Sequence, residues 1–186
     1  MCGIVGYIGN KQAFPTLIKG LPRLEYRGYD SAGVALLNNG LHVYKKAGKV
    51  SALEEFVADK DTQGTIGIGH TRWATHGEPN DINAHPHFSE TRNLAIIHNG
   101  IIENFAELRA ELTSAGVTLS SETDTEVVAH LLAAVLPETD HDLAEAMRRV
   151  CRRLSGAFTL VAVHSDIPDV VVGARRNSPL VVGRGD

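Results

Sequence analysis

The first residues of the chain could supply a nucleophile and a base from one residue. Met1 is followed by Cys2, and a small second residue allows an aminopeptidase to remove the initiator methionine. Cys2 would then carry a thiol with an ordinary pKa of about 8.5 beside an α-amine with an ordinary pKa of about 7.7–8.0, so that proton transfer between them near neutral pH costs little. Such a pair suits acyl transfer. The alternative is a small buried core residue, and position alone favours that alternative.

An acyl-transfer nucleophile needs hydrogen-bond donors for its oxyanion, and the segment His98-Asn99-Gly100 could supply them. The side-chain amide of Asn99 and the backbone N–H of Gly100 could both point at one oxygen, an arrangement that suits a tetrahedral intermediate. The alternative is an ordinary turn at the end of a strand, because Asn-Gly is a common turn dipeptide. Taken alone, this segment favours the turn.

Two charged residues could recognise the ends of an amino acid. Arg72 could bind a carboxylate through two parallel hydrogen bonds, and the adjacent Trp73 could cover a small ligand. Asp124 lies just inside a predicted helix N-terminus, where it could receive an α-ammonium group. The alternatives are a surface arginine beside a half-buried tryptophan, and an acid that stabilises the helix dipole. For Asp124 the spacing favours the structural role.

A group of histidines raises the possibility of a metal site. The members are His70, His76, His85, His87 and His98. They match no common zinc-binding spacing, and in an extended segment the rings of His85 and His87 point in opposite directions. The sequence therefore predicts no metal. The second cysteine, Cys151, lies in a helical apolar pattern and is predicted to belong to the core.

The composition indicates one enzyme-sized domain rather than a nucleic-acid or membrane protein. The 186 residues are 43% hydrophobic, with a net charge of −4 and no long run of one sign. This balance argues against nucleic acid or an anionic membrane surface as a partner. The apolar runs are too short to span a bilayer, and the N-terminus lacks the features of a signal peptide. We therefore expect a cytoplasmic protein.

The hydrophobic pattern predicts strands at both ends of the chain and helices in the middle. Predicted strands cover residues 2–8, 34–37, 41–45, 65–70, 94–97, 158–163, 170–174 and 179–182. Predicted helices cover 17–24, 53–57, 102–112, 124–135 and 143–154, and 73–91 is a long loop. Asn38-Asn39-Gly40 indicates a hairpin turn. This order favours an α+β fold in which sheet packs on sheet and helices lie outside.

Several of these segments together resemble a known family. They are MCGIVG at 1–6, LEYRGYDSAG at 24–33, GHTRWATHG at 69–77, NAHPH at 83–87, HNGIIEN at 98–104 and SETDTE at 121–126. They are similar to the glutaminase domain of class II glutamine amidotransferases, which are N-terminal-nucleophile hydrolases with a four-layer αββα sandwich. Within that group they most resemble the isomerising aminotransferases that act on fructose 6-phosphate. Phosphoribosyl-pyrophosphate amidotransferases and asparagine synthetases do not resemble segments 26–33 and 72–77.

The resemblance implies a catalytic set. Cys2 would be the nucleophile and its own α-amine the base, while Asn99 and the N–H of Gly100 would form the oxyanion hole. Arg27 would lie near the nucleophile and help to position it. The reaction would need no cofactor.

The resemblance also implies a set of residues that bind glutamine. Arg72 would bind the α-carboxylate and Asp124 the α-ammonium group. Thr75 and His76 would line the pocket together with Gly100, and Trp73 would belong to a loop that closes over glutamine.

The resemblance further implies that residues 2–186 form only the glutaminase domain. The isomerase domain, which would bind fructose 6-phosphate, is absent from this chain, and we expect the last strands of the sandwich to be absent too. A complete protein would be a homodimer. Two alternatives stay open: a catalytically silent truncated module, and the glutaminase domain of another ammonia-channelling enzyme. A metal-binding protein is a more distant alternative.

Overall fold

Two four-stranded antiparallel sheets form the centre of the chain in a computed structural model that describes residues 2–185. The first sheet has the order β1-β4-β2-β3 and the second the order β5-β6-β7-β8. The strands of the first sheet are β1 (Gly3–Ile8), β2 (Ser31–Leu37), β3 (Leu41–Ala47) and β4 (Ile66–Arg72). Those of the second are β5 (His87–Phe88), β6 (Leu94–Gly100), β7 (Phe158–His164) and β8 (Ile167–Arg176).

Five α-helices cover the outer faces of the sheets within residues 2–185. The first sheet packs against α1 (Ala13–Gly20) and α2 (Val50–Phe56). The second packs against α3 (Phe105–Ser114), α4 (Asp124–Val135) and α5 (Leu143–Arg153). Two 3₁₀ helices, Leu21–Arg27 and Leu136–Thr139, follow α1 and α4.

The alternation of side chains along each strand explains the four layers. In β2, Val34 and Leu36 pack in the cluster beneath α1 and α2, whereas Ala35 and Leu37 pack in a cluster between the two sheets. The same alternation assigns Ile96 of β6 to the helix side and Ile97 to the space between the sheets. Because each inner strand buries both faces, the result is the αββα sandwich that the sequence predicted.

Local signals in the sequence account for two of the element boundaries. Asn39 and Gly40 have φ angles of +49° and +134°, and the positive values make the turn of the β2–β3 hairpin as predicted. Thr123 caps α4, since its hydroxyl accepts a hydrogen bond from the N–H of Glu126 at 3.3 Å. The Glu126 carboxylate does not complete a capping box but accepts hydrogen bonds from Ser120 and Ser121.

Three expectations about the elements were wrong in part. Residues 179–182 do not form a strand, because Pro179 has no N–H to donate and Val181 and Val182 are exposed. The long loop is interrupted by β5, which pairs with β6. The helix predicted over 17–24 ends at Gly20, and Leu21–Arg27 forms a 3₁₀ helix instead.

Helices long and apolar enough to cross a bilayer are not found among residues 2–185.

Candidate active site

Strand pairing brings Cys2 against the end of β4. β1 and β4 are antiparallel with Gly3 opposite Thr71, so this register brings Cys2 to Arg72, the last residue of β4, and to the Trp73 that follows it. The Trp73 N–H donates to Cys2 Sγ at 3.2 Å, and the thiol donates to the Trp73 carbonyl oxygen at 3.5 Å. Burial raises the pKa of the Cys2 thiol, although the contact with Trp73 opposes the shift. The thiol is therefore uncharged near neutral pH and needs a base before it can attack.

The predicted oxyanion donors, Asn99 and Gly100, are the last two residues of β6 in the second sheet. Asn99 lies at the end of β6, and its side-chain Nδ2 donates to the carbonyl oxygen of Cys2 at 3.1 Å. Gly100 has a φ of +119°, and a Cβ there would overlap the Ala157 carbonyl oxygen and lie 2.8 Å from Phe158 Cα. Only glycine fits this position. The Asn99 amide thus meets Cys2 across the two sheets, and Gly100, the next residue, also lines the cavity described below.

A cavity of about 860 Å³ opens beside the nucleophile. Its volume lies in the range of about 300–1,000 Å³ that is usual for small-molecule sites. Part of its lining is apolar and comes from β1, β8 and Leu180. The lining also includes six of the residues predicted for the site, and we call them the cavity wall: Cys2, Arg27, Trp73, Thr75, Asn99 and Gly100.

The remaining predicted residues do not line the cavity, and we call them the buried anchor: Arg72 and Asp124, which are buried, and His76, which is half-buried. The Arg72 guanidinium donates to the backbone carbonyl of His76 and, at 3.2 Å each, to those of Gly77 and Glu78. It also lies 3.8 Å from the carboxylate of Asp30. Arg72 therefore holds the loop after β4 in place.

Asp124 is held from three sides. Its carboxylate accepts a hydrogen bond from the Ile102 N–H at 2.9 Å, and its oxygens lie 3.5 Å from His98 Nδ1 and 4.0 Å from His76 Nδ1. Burial alone would raise the pKa of Asp124, but the bonds and charges of these neighbours hold it below its ordinary value. Asp124 is therefore a carboxylate near neutral pH. None of the buried anchor is among the residues that line the cavity.

The comparison with protein families decides what this site belongs to. A model described as a glutamine amidotransferase domain matches residues 70–184. The chain belongs to the glutamine amidotransferase family.

Two curated relatives of this amidotransferase chain carry the same name. The chain is 63% identical to glutamine–fructose-6-phosphate aminotransferase (isomerizing) of Streptomyces coelicolor over 188 residues, and 54% identical to the protein of that name from Bacteroides thetaiotaomicron. Both alignments cover 100% of this chain, and they cover 30% and 31% of the relatives. The chain therefore spans about a third of the length of these proteins.

Solved amidotransferase structures share the fold. Glutamine phosphoribosylpyrophosphate amidotransferase from B. subtilis, complexed with ADP and GMP, has a TM-score of 0.73 at 27% identity, covering 89% of this chain and 35% of that one. A structure titled as the allosteric regulatory enzyme of purine biosynthesis has a TM-score of 0.76 at 27% identity, with 89% and 36% covered. The similarity to N-terminal-nucleophile amidotransferases confirms the predicted fold class.

Sequence reasoning about this amidotransferase domain missed two residues that hold the site together. Asp30 accepts hydrogen bonds from the Ala74 N–H and, at 3.0 Å, from the Ser31 hydroxyl, so it joins β2 to the loop after β4. His70 contacts Asn99. Both lie in segments that resemble the family, but their spacing alone indicates no partner, because each contact joins elements far apart in the chain.

His85 and His87 are buried and hydrogen-bond to threonines at the N-terminus of α4. His85 Nε2 lies 2.8 Å from Thr125 Oγ1, and His87 Nε2 lies 3.0 Å from Thr123 Oγ1. The expectation that their rings point in opposite directions was wrong, since the ring centroids are 4.8 Å apart. Strand pairing begins only at His87, so the alternation of a strand does not apply to His85. Within residues 2–185 no three metal-ligating side chains have an arrangement suited to a metal ion.

Proposed function

We propose that residues 2–186 form a glutaminase domain that hydrolyses glutamine to glutamate and ammonia. The observation that supports this most directly is the meeting of the Cys2 residue and the Asn99 amide, 3.1 Å from Nδ2 to the Cys2 oxygen, at the wall of the cavity. A nucleophile and an oxyanion donor from different sheets converge on one space large enough for a free amino acid. The family supplies the reaction class.

The first half of the reaction forms a thioester. The Cys2 sulfur attacks the carboxamide carbon of glutamine while the thiol proton passes to the α-amine of the same residue. The amine is available as a base only after Met1 is removed. Met1 lies outside the described residues. The tetrahedral intermediate collapses with loss of ammonia, which takes the proton from the amine.

The second half releases glutamate. Water gives a proton to the same amine, attacks the thioester carbon and displaces the Cys2 thiolate, which recovers that proton. In both halves a negative charge develops on the former carbonyl oxygen. Asn99 Nδ2 and the Gly100 N–H would stabilise that charge, and loss of one such donor typically lowers kcat by about 10²–10³-fold.

The charged ends of glutamine would be bound near the boundary between the cavity wall and the buried anchor. The Arg72 guanidinium would receive the α-carboxylate in place of one or more of its loop carbonyls. Asp124, which is already ionised, would receive the α-ammonium group. Thr75 and His76 would line the pocket, and Trp73 would cover it.

In the whole protein the ammonia would be used to convert fructose 6-phosphate into glucosamine 6-phosphate. The full-chain similarity to the isomerising aminotransferases supports this substrate. Fructose 6-phosphate would bind to an isomerase domain outside residues 2–186. The whole protein would be a cytoplasmic homodimer without nucleic-acid or membrane partners.

An intact mass spectrum after treatment with an electrophilic glutamine analogue tests the glutaminase proposal. We expect one adduct that maps to Cys2 in a protein without Met1, together with glutamate release from glutamine. The Cys151→Ala variant is the matched control and should label fully, because Cys151 lies on α5, which packs against β8, and does not line the cavity. A processed protein that binds glutamine without turnover would instead indicate a silent module.

A further inference from the structure

His70 connects the two sheets at the catalytic amide. It lies in β4 of the first sheet, is completely buried and stacks on His85 with ring centroids 4.2 Å apart. Its Nε2 lies 2.9 Å from the backbone carbonyl oxygen of His98 and 2.9 Å from Oδ1 of Asn99, both on β6 of the second sheet.

The two contacts determine which ring nitrogen carries the proton. A backbone carbonyl can only accept a hydrogen bond, so the contact with His98 requires that Nε2 carries a hydrogen. Burial lowers the pKa of His70 to about 3, and the ring is therefore neutral with its proton on Nε2. The same N–H is shared with the side chain of Asn99.

An N–H at this position distinguishes the two ends of the Asn99 amide. When Oδ1 of Asn99 faces His70, it accepts a hydrogen bond from His70 Nε2. The Nδ2 of the same amide then donates to the backbone carbonyl oxygen of Cys2 at 3.1 Å. If the amide were rotated by 180°, two donors would face each other at His70 and an acceptor would face the oxyanion. Such an amide could not stabilise negative charge.

We propose that His70 is a positioning residue that orients the Asn99 amide so that its NH₂ group faces the nucleophile and the developing oxyanion. This inference rests on the glutaminase function proposed above. His70 does not contact the substrate, and its action passes entirely through Asn99. It therefore affects the transition state more than the binding of glutamine.

Steady-state kinetics of the intact protein test this inference. We expect His70→Leu to lower kcat for glutamine hydrolysis by about 10- to 100-fold, part of the effect of losing an oxyanion donor, with KM changed less than about threefold. His70→Gln, which retains an N–H donor near the Nε2 position, should recover most of the loss. His70→Asn, whose side chain is shorter, should not recover the loss. If His70→Leu does not fold, the comparison of His70→Gln with His70→Asn tests the inference.

A double-mutant cycle separates positioning from a general structural role. In an Asn99→Ala background, His70→Leu should lower kcat by less than about twofold further, because the group it orients is gone. An equal loss of kcat in the wild-type and Asn99→Ala backgrounds would overturn the inference, and so would no loss in the wild-type background. Alkylation of Cys2 by iodoacetamide forms no oxyanion, so its rate should be the same in wild type and His70→Leu.

A readout without turnover keeps the inference distinct from the proposed function. The side-chain amide signals of Asn99 can be assigned by nuclear magnetic resonance from their absence in Asn99→Ala. We expect their hydrogen exchange to be at least about 10-fold faster in His70→Leu, because the amide is no longer held. Equal exchange in both proteins would overturn the inference. If exchange of the Asn99 amide is faster in His70→Leu but the wild-type protein releases no glutamate, only the proposed function is refuted.

Discussion

The cavity wall and the buried anchor differ in how their polar groups are satisfied. In the cavity wall, Trp73 is 53% exposed, and Cys2 hydrogen-bonds to the backbone of Trp73 and to the side-chain amide of Asn99. In the buried anchor, Arg72 and Asp124 are 3% and 4% exposed and each has several partners within the protein. The reacting groups are lightly held, whereas the recognition charges are part of the folded core.

This difference predicts that substitutions in the two regions have different consequences. Removing a buried charge leaves its partners unsatisfied, which costs stability as well as function. Removing the side chain of Cys2 or Trp73 from the cavity wall breaks few contacts within the protein and should mainly affect activity. Gly100 is the exception in the cavity wall, because its role is conformational.

The largest effect is expected for Cys2→Ala. Glutamate release should fall by more than about 10³-fold, as for loss of other catalytic nucleophiles, whereas the free energy of unfolding in urea should change by less than about 1 kcal/mol. The reason is that Sγ hydrogen-bonds to the backbone of Trp73 at the cavity rather than in the core. A loss of several kcal/mol would contradict the difference between the two regions, and Cys151→Ala is the matched control for activity.

Gly100→Ala should damage both stability and activity. The added Cβ would meet backbone atoms of Ala157 and Phe158 at a positive φ, and we expect a loss of about 2–4 kcal/mol in the free energy of unfolding. Gly116→Ala is the matched control, since its φ is +88° and a Cβ there would have no atom within 4 Å. That control should lose only about 1 kcal/mol, so similar losses for both variants would show that crowding at Gly100 is unimportant.

The fold was predictable because its signals are local. Short apolar runs in β2, β6 and β7 predicted strands, and Asn39-Gly40 predicted the hairpin. Residues 179–182 misled because the apolar pattern of a strand does not reveal whether a pairing edge is available. The side chain of Leu180 packs beside Gly173, although residues 179–182 do not pair with a strand.

The site was only partly predictable for a related reason. Resemblance to the family predicted Cys2, Arg72 and Asn99 as site residues. It did not show that the Arg72 guanidinium donates hydrogen bonds to carbonyl groups of the loop after β4. The contacts of Asp30 and His70 join elements 44 and 29 residues apart. No periodicity or spacing rule connects such positions, since the pairing depends on how the two sheets pack.

Asp124→Asn tests the buried anchor through pH. The folded-state pKa of Asp124 lies below its ordinary value of 3.8, so its contribution to stability is fully present above about pH 4–5 and is lost as the pH falls through the folded-state value. We expect the variant to lose about 1–3 kcal/mol of unfolding free energy at pH 7, because a hydrogen-bonded charge is removed, and to raise KM for glutamine. Asp169→Asn, on an exposed position of β8, is the control.

The difference between wild type and Asp124→Asn should become smaller in urea titrations as the pH is lowered below 3.8. At the lowest pH both proteins carry an uncharged group at this position. A difference that stays constant with pH would show that the charge of Asp124 does not stabilise the fold, and the buried anchor would then resemble the cavity wall.

The smallest effect is expected for Trp73→Ala. The indole is half exposed and meets Tyr29 edge to face at 6.4 Å, whereas Cys2 is contacted by the backbone N–H and carbonyl of Trp73, which the substitution leaves in place. The free energy of unfolding should therefore change by less than about 0.5 kcal/mol, and the rate of Cys2 alkylation by iodoacetamide should not change. KM for glutamine should rise a few-fold, since only the cover of the cavity is lost. A large fall in stability would mean that the cavity wall is held by its side chains as well as by its backbone.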